Sequence, residues 1–298
     1  MEPGTRIDAL LRLARTGERT VMMGVLNITP DSFSDGGRWV SARTAVERAR
    51  EMLDEGADLI DVGGESTRPG AEEVPEAEEI DRVAPVIAAL VDQLGAVVSI
   101  DTRKAGVARE ALALGAAMVN DVSAMEHDPA MANVVAHAGV ALCLMHMRGT
   151  PATMQRQALY SDVTDEVSAY LLTRADAAIG AGICRDRIVV DPGFGFGKTP
   201  AHNLALVRRL REIADMGLPV VLGVSRKSTI GAVLNIPDPM DRVEGAAALV
   251  AIGIANGAAI IRAHDVRQMV RVARMADAVL GRQGYSDRRP GQIGAGPP

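Results

Sequence analysis

The sequence predicts a single (β/α)8 barrel, and three observations lead there. Eight short apolar runs alternate with segments of helical period along the whole chain. The end of each run carries polar side chains. The length, 298 residues, accommodates one α/β barrel of about 250 residues with short extensions at both ends.

Taken in order, strands are expected at Val21–Leu26, Leu59–Val62, Val97–Ile100, Ala117–Val119, Ala141–Met145, Ile188–Val190, Val220–Val224 and Ala259–Ile261. Helices are expected near Ala42–Glu55, Ala77–Leu94, Ala105–Leu114, Ala130–Ala138, Asp162–Ala181, Ala201–Ala214, Asp241–Ala255 and Val266–Leu280. In the fifth helix Val163, Val167, Leu171, Ala175 and Ala178 keep one apolar stripe at spacings of three and four. Gly56, Gly115, Gly217 and Gly257 follow helices and supply the left-handed residue that ends them. Continuous apolar strands alternating with helices imply a parallel sheet covered by helices, and eight units favour closure. The barrel is expected over 20–281, after a short N-terminal arm, 1–19, and before a Gly-, Pro- and Arg-rich tail, 282–298, whose composition predicts disorder.

The strand ends carry the chemistry. In order they bring Asn27, Asp61, Asp101, Asn120 with Asp121, His146, Asp191, Ser225 with Arg226 and Lys227, and Arg262 with His264. One such Asp is readily a helix cap, but eight polar strand ends in succession point to the catalytic rim of a barrel. Asp61, Asp101, Asn120 and Asp191 suit a ligand rich in ring N–H and amino groups, because buried carboxylates need donors. Arg68, Lys227, Arg262 and His264, beside the helix that starts after Asp265, form an anion site suited to phosphate. An ion pair between Arg262 and a nearby aspartate can coexist with that role. Asn27 is able to offer a neutral oxygen to a magnesium ion bridging phosphates.

Composition narrows the partners. The chain is 48% hydrophobic and 23% charged with a net charge of -6, which favours neither nucleic acid nor an anionic membrane. No signal-like h-region opens the sequence, and the most apolar stretch, Gly245–Ile261, is Ala-rich and flanked by Glu244 and Arg262. A soluble cytoplasmic protein is expected, with Cys143 and Cys184 as buried, reduced thiols. The segment Asp191-Pro-Gly-Phe-Gly-Phe-Gly-Lys-Thr199 imitates a P-loop, but Pro192 stands where GxxxxGK[ST] needs glycine. It reads as a βα loop. The three phenylalanines, Phe33, Phe194 and Phe196, all lie in such loops, which favours contact with a flat ligand, although Phe194 reads better as a loop anchor.

Several of these segments resemble the dihydropteroate synthase family over about Val21 to Leu280. They are Met23-Gly-Val-Leu-Asn-Ile-Thr-Pro-Asp-Ser-Phe-Ser-Asp-Gly-Gly37, Gly56-Ala-Asp-Leu-Ile-Asp-Val-Gly-Gly-Glu-Ser-Thr-Arg-Pro-Gly70, Ser99-Ile-Asp-Thr102, Val119-Asn-Asp121, Leu144-Met-His-Met147, Asp191 to Lys198, Gly223-Val-Ser-Arg-Lys-Ser228 and Ile261-Arg-Ala-His-Asp-Val266. The resemblance implies a pterin-binding barrel that joins 6-hydroxymethyl-7,8-dihydropterin diphosphate to p-aminobenzoate, a transferase of folate synthesis. It implies that Asp101, Asn120, Asp191 and Lys227 bind the pterin, with Asp101 and Lys227 catalytic. It implies that Asn27 (through Mg2+), Arg262 and His264 hold the diphosphate, with a backbone contact at Ala263. Thr67, Arg68, Pro69, Phe33, Phe196 and Ser228 would form the p-aminobenzoate and sulfonamide site. A homodimer through helices away from the rim is implied as well. The alternatives are a pterin-binding methyltransferase domain, which has no use for Ser66-Thr-Arg-Pro69 or Ser225-Arg-Lys-Ser228, and a catalytically silent paralogue.

Overall fold

Eight parallel strands close on themselves in sequence order, β1 to β8, with β8 paired back to β1. The computed structural model describes residues 3–28, 37–66, 73–149 and 158–282. The order is α1 (Pro3–Thr16), β1 (Val21–Asn27), α2 (Gly37–Glu55), β2 (Leu59–Gly63), α3 (Glu76–Leu94), β3 (Val98–Asp101), α4 (Ala105–Ala113), β4 (Met118–Asp121), α5 (Met131–Ala138) and β5 (Ala141–Met145). Then follow α6 (Val163–Gly180), β6 (Ile188–Asp191), α7 (Pro200–Arg208), α8 (Leu210–Ala214), β7 (Val220–Leu222), α9 (Ser228–Leu234), α10 (Val243–Ala255), β8 (Ala258–Ala263) and α11 (Val266–Val279).

The expected α6 stripe is the buried face of that helix, and Asp162 caps it by accepting from the N–H groups of Thr164 and Asp165. Gly56, Gly115, Gly217 and Gly257 all take positive φ, as turns out of helices require. Three expectations need correcting. The segment expected as one helix over Ala201–Ala214 is two, α7 and α8, with Arg209 between them at φ -103 and ψ 18. β7 ends at Leu222, because a turn at Ser225–Arg226 follows at once. Cys143 is buried, but Cys184 is exposed, in the turn that leaves α6. The arm before the barrel carries α1, whose Ile7 and Leu11 are each 2% exposed.

Strand parity sorts the barrel. Side chains alternate between the two faces of a strand. Met23, Leu59, Val97, Met118, Ala141, Cys143, Val189, Val221 and Ile260 form the lower interior, and Ile7, Leu11 and Ala14 of α1 close it from below. The opposite parity, with Ile60, Val62, Val98, Ile100, Val119, Leu142, Leu144, Val190, Leu222, Ile261 and Ala263, packs outward under the helices. At about 1.5–3 kcal/mol per fully buried aliphatic side chain, α1 contributes as a working part of the core.

Candidate active site

Counting by two up the inner column leads from apolar residues to polar ones: Leu59 to Asp61, Val97 through Ser99 to Asp101, Met118 to Asn120, Val189 to Asp191, and Ile260 to Arg262. The same count sends Asp121 and His146 the other way. Asp121 accepts from the Ser123 and Met125 N–H groups and from the Ser123 hydroxyl, so it shapes the loop after β4.

Asp61 lies one layer below the rim rather than at a strand end, and it is 0% exposed. Its Oδ2 accepts from Arg262 Nε at 2.6 Å and from Asn120 Nδ2 at 3.0 Å. Arg262 Nη2 reaches Asp101 Oδ2, also at 2.6 Å. The guanidinium therefore spans two carboxylates, and Asp61 Oδ1, Asp101 Oδ1 and Ser99 Oγ are buried with no hydrogen-bond partner among the described residues. Burial pushes the Asp101 carboxyl up to about 7, against the pull of Arg262 and with help from Asp61, Glu79 and Asp121. Burial also raises Asp191, whose Oδ1 accepts from the Gly193 N–H at 2.7 Å.

These groups open into one cavity whose walls include Asp101, Asn120, Asp191, Lys227 and Arg262, with Val122, Met145, Phe194 and Phe196 as its apolar side. The Lys227 ammonium sits 4.0 Å from the centroid of the Phe196 ring, a cation–π contact at the mouth. Phe194 is 1% exposed and packs in the core, as a loop anchor should. Ser228 begins α9 and is exposed next to Lys227. Val122 and Met145 went unnoticed in the sequence, yet each stands two residues beyond an inward-facing one (Asn120, Cys143), so parity would have found them.

The rim on the β1/β8 side is separate. His264 pairs through Nδ1 with Ser225 Oγ at 3.1 Å, and its Nε2 faces Asn27 Nδ2 at 3.5 Å. Burial first, then Arg262 and Arg226, push the imidazole down to about 3, so it is neutral at physiological pH. Asp265 precedes α11 and holds Arg226 in a paired contact, Nη2 to Oδ1 at 2.6 Å. Ala263 faces the outer core, so only its backbone is available to a ligand. Phe33, Thr67, Arg68 and Pro69 lie outside the described residues. The neck of their second loop is described: Glu65 accepts from the Val74 N–H at 3.1 Å and from Arg103 and Lys104, and Lys104 also bonds Glu79. Burial opposes ionisation of Glu65, but the Lys104 and Arg103 bonds prevail and hold it below the usual carboxylate range. This network was invisible in sequence because its members come from three separate segments.

Among the described residues no group of three or more His, Cys, Asp or Glu converges to cage an ion. The one rim oxygen of Asn27 suits a magnesium ion that takes most of its ligands from phosphate and water.

Fold and site together define a barrel enzyme with an acid-floored slot for a flat, hydrogen-bonding ligand and a separate polar rim beside it. Residues 23–264 match the family described as pterin binding enzyme. The dihydropteroate synthase of Synechocystis sp. is 46% identical over 263 residues, covering 88% of this chain and 91% of that protein. A solved dihydropteroate synthase from Xanthomonas albilineans, with 4-aminobenzoic acid, superposes with a TM-score of 0.83 at 44% identity, over 88% of this chain and 93% of the other. The Yersinia pestis dihydropteroate synthase in a sulfonamide drug complex gives 0.83 at 43% identity, over 88% and 95%. The chain belongs to the dihydropteroate synthase family of pterin-binding enzymes.

Proposed function

We propose that this protein condenses 6-hydroxymethyl-7,8-dihydropterin diphosphate with p-aminobenzoate, in the cytoplasm, giving 7,8-dihydropteroate and diphosphate. The observation that carries the reading is the floor of the slot, where Asp101 keeps a buried, unpartnered carboxylate oxygen beside Asn120, Asp191 and Lys227. Ring N–H and amino groups of a pterin supply the donors such a floor lacks.

The reaction splits in two. The bond between the pterin methylene and the diphosphate oxygen breaks first, and its electron pair leaves with the diphosphate. Asn27, Arg262, His264 and the first amides of α11 hold that departing anion. Asn27 would hold a magnesium ion, which would supply charge neutralisation to the diphosphate. Asp101, ionised, stabilises the pterin methylene cation left behind, and Lys227 orients the ring from above. The p-aminobenzoate amine then forms the C–N bond and gives up a proton to solvent. Phe33, Thr67, Arg68, Pro69, Phe196 and Ser228 receive the aminobenzoate, and a sulfonamide competes there. No covalent enzyme intermediate is needed. A homodimer through helices remote from the rim is part of the same proposal.

With magnesium and both substrates, the purified protein is expected to form dihydropteroate and release diphosphate. Folded protein that forms none would establish the silent-paralogue reading instead. Lys227→Ala is expected to lower kcat/KM for the pterin substrate by about 10²-fold or more with unchanged melting, because it removes a charged contact at the rim. Normal kinetics in that variant would place the pterin elsewhere.

Binding should also depend on pH. Below about 7 the Asp101 carboxyl of the free protein is neutral and offers an O–H where the pterin needs an acceptor. Pterin affinity should therefore fall as pH drops from 8 to 6, and Asp101→Asn should flatten that limb. A limb that persists in the variant rules Asp101 out as its source.

A further inference from the structure

Between β5 and the loop after β6 lies a buried ammonium that none of the roles above uses. Lys198 is 3% exposed, and among the described residues no carboxylate forms an ion pair with it. Its Nζ is instead ringed by acceptors: His146 Nδ1 at 2.9 Å, the Gly193 and Phe196 carbonyls at 3.0 Å each, and the His146 carbonyl at 3.3 Å. Burial pushes the Lys198 amine down to about 7. In its charged form it donates three N–H groups and accepts nothing, and His146 then presents a lone pair at Nδ1 and carries its proton on Nε2. Burial, then the Lys198 charge, push His146 down to about 3 and keep it neutral. The ring is held edge-on by Tyr170, with centroids 4.9 Å apart.

The backbone is shaped around this ammonium. Gly193 takes φ +68, and a Cβ there would stand 1.8 Å from the His146 carbonyl oxygen, so no side chain fits. Gly195 and Gly197 are also at positive φ, which leaves a turn with little preference of its own for any one shape. Yet that turn carries the Phe196 ring, and its Gly193 N–H fixes Asp191 Oδ1. The His146 N–H in turn donates to the Asp191 carbonyl at 3.0 Å.

We propose that Lys198 and His146 are a positioning pair: the ammonium, seated on three carbonyl oxygens and His146 Nδ1, freezes the Asp191–Lys198 turn and thereby aims the Asp191 carboxylate and the Phe196 ring at the pterin. This rests on the reading that Asp191 binds the pterin. A glycine-rich turn that lost its central donor would leave buried carbonyls unpaired and would rearrange to reach water. The family-like GFGK segment is then a lysine-filled turn, in which the cation is the protein's own and the ligand it serves lies on the other side of the backbone.

The test uses the full chain and four proteins: wild type, Lys198→Met, His146→Leu and His146→Asn. Each is measured for calorimetric binding of 6-hydroxymethylpterin, for KM and kcat with the pterin diphosphate, and for melting. Lys198→Met and His146→Leu should each weaken pterin binding and raise that KM by about tenfold or more, while kcat at saturation stays within about threefold. His146→Asn should restore affinity to near wild type, because its amide oxygen stands where Nδ1 stood and accepts from Lys198. Wild-type affinity in Lys198→Met or His146→Leu overturns the proposal, as does a His146→Asn protein as weak as His146→Leu. If Lys198→Met does not fold, the two His146 variants decide. Wild-type protein that binds no pterin overturns the functional reading, and this inference with it.

Discussion

Asp101→Asn is expected to lower kcat by on the order of 10²- to 10³-fold, the scale for losing one preorganised electrostatic partner of a developing charge. The amide keeps the shape of the carboxylate and an oxygen for Arg262 Nη2, so the floor of the slot survives. Stability should move the other way. The folded protein holds the Asp101 proton up to about 7, whereas the unfolded chain releases it near 3.8. Native protein thus binds more protons between those values, and this group's contribution to stability falls as pH rises through that window. Above it the wild type carries an ionised, desolvated carboxylate that the variant lacks. At pH 8, Asp101→Asn should therefore melt no lower than wild type while turning over far more slowly. A variant that melts well below wild type, or that turns over normally, would contradict the assignment of Asp101 as a charge held for chemistry.

Arg262→Met should have the largest effect on stability. The side chain lies between Asp61 and Asp101 at 2.6 Å from each, and these carboxylates raise the guanidinium's pKa against the opposing pull of burial, which comes first in size. Removing it leaves two buried carboxyl groups without their cation, a change that costs about 3–5 kcal/mol in comparable buried pairs. In a protein of this size that corresponds to a fall in Tm of roughly 10 °C. The deficit should shrink as pH falls toward 7, because without Arg262 the Asp101 carboxyl keeps its proton to a higher pH than the wild type's value of about 7. Adding Asp101→Asn to Arg262→Met should recover part of the loss, and a thermal double-mutant cycle measures how much. Strict additivity would mean that the ion pair contributes nothing. Activity should vanish in either background if the same arginine holds the diphosphate, as proposed above.

The eightfold alternation of strand and helix was legible in the sequence, because the apolar runs and the glycines that end helices are local signals. Helices α1 and α9 and the break between α7 and α8 were not. The polar strand ends were legible too, but not which of them face inward. Asp121 and His146 look like Asp101 and Asn120 in sequence; only counting by two along β4 and β5 separates them. The depth of Asp61 and its hold on both Arg262 and Asn120 arise from neighbours 201 and 59 residues away, which no local pattern records. The same holds for Glu65 with Arg103 and Lys104, and for Lys198 with His146, 52 residues apart. α1 was overlooked for a different reason: Ile7, Leu11 and Ala14 do form a helical stripe, but its stability comes from the barrel floor rather than from the segment itself.

That floor has a consequence for synthesis. The site that receives Ile7 and Leu11 is composed of residues from seven strands and of Val97, which leads into β3, ending with Ile260, and Asp8 meets Arg187 at 2.9 Å. Helix α1 leaves the ribosome before the strands it packs on and must therefore wait, its apolar stripe unsheltered, until more than two hundred further residues have emerged and β8 has closed the ring. Folding of this chain is gated by its C-terminal third, and truncations just short of β8 should accumulate with α1 undocked and open to proteases while most of the helices have already formed.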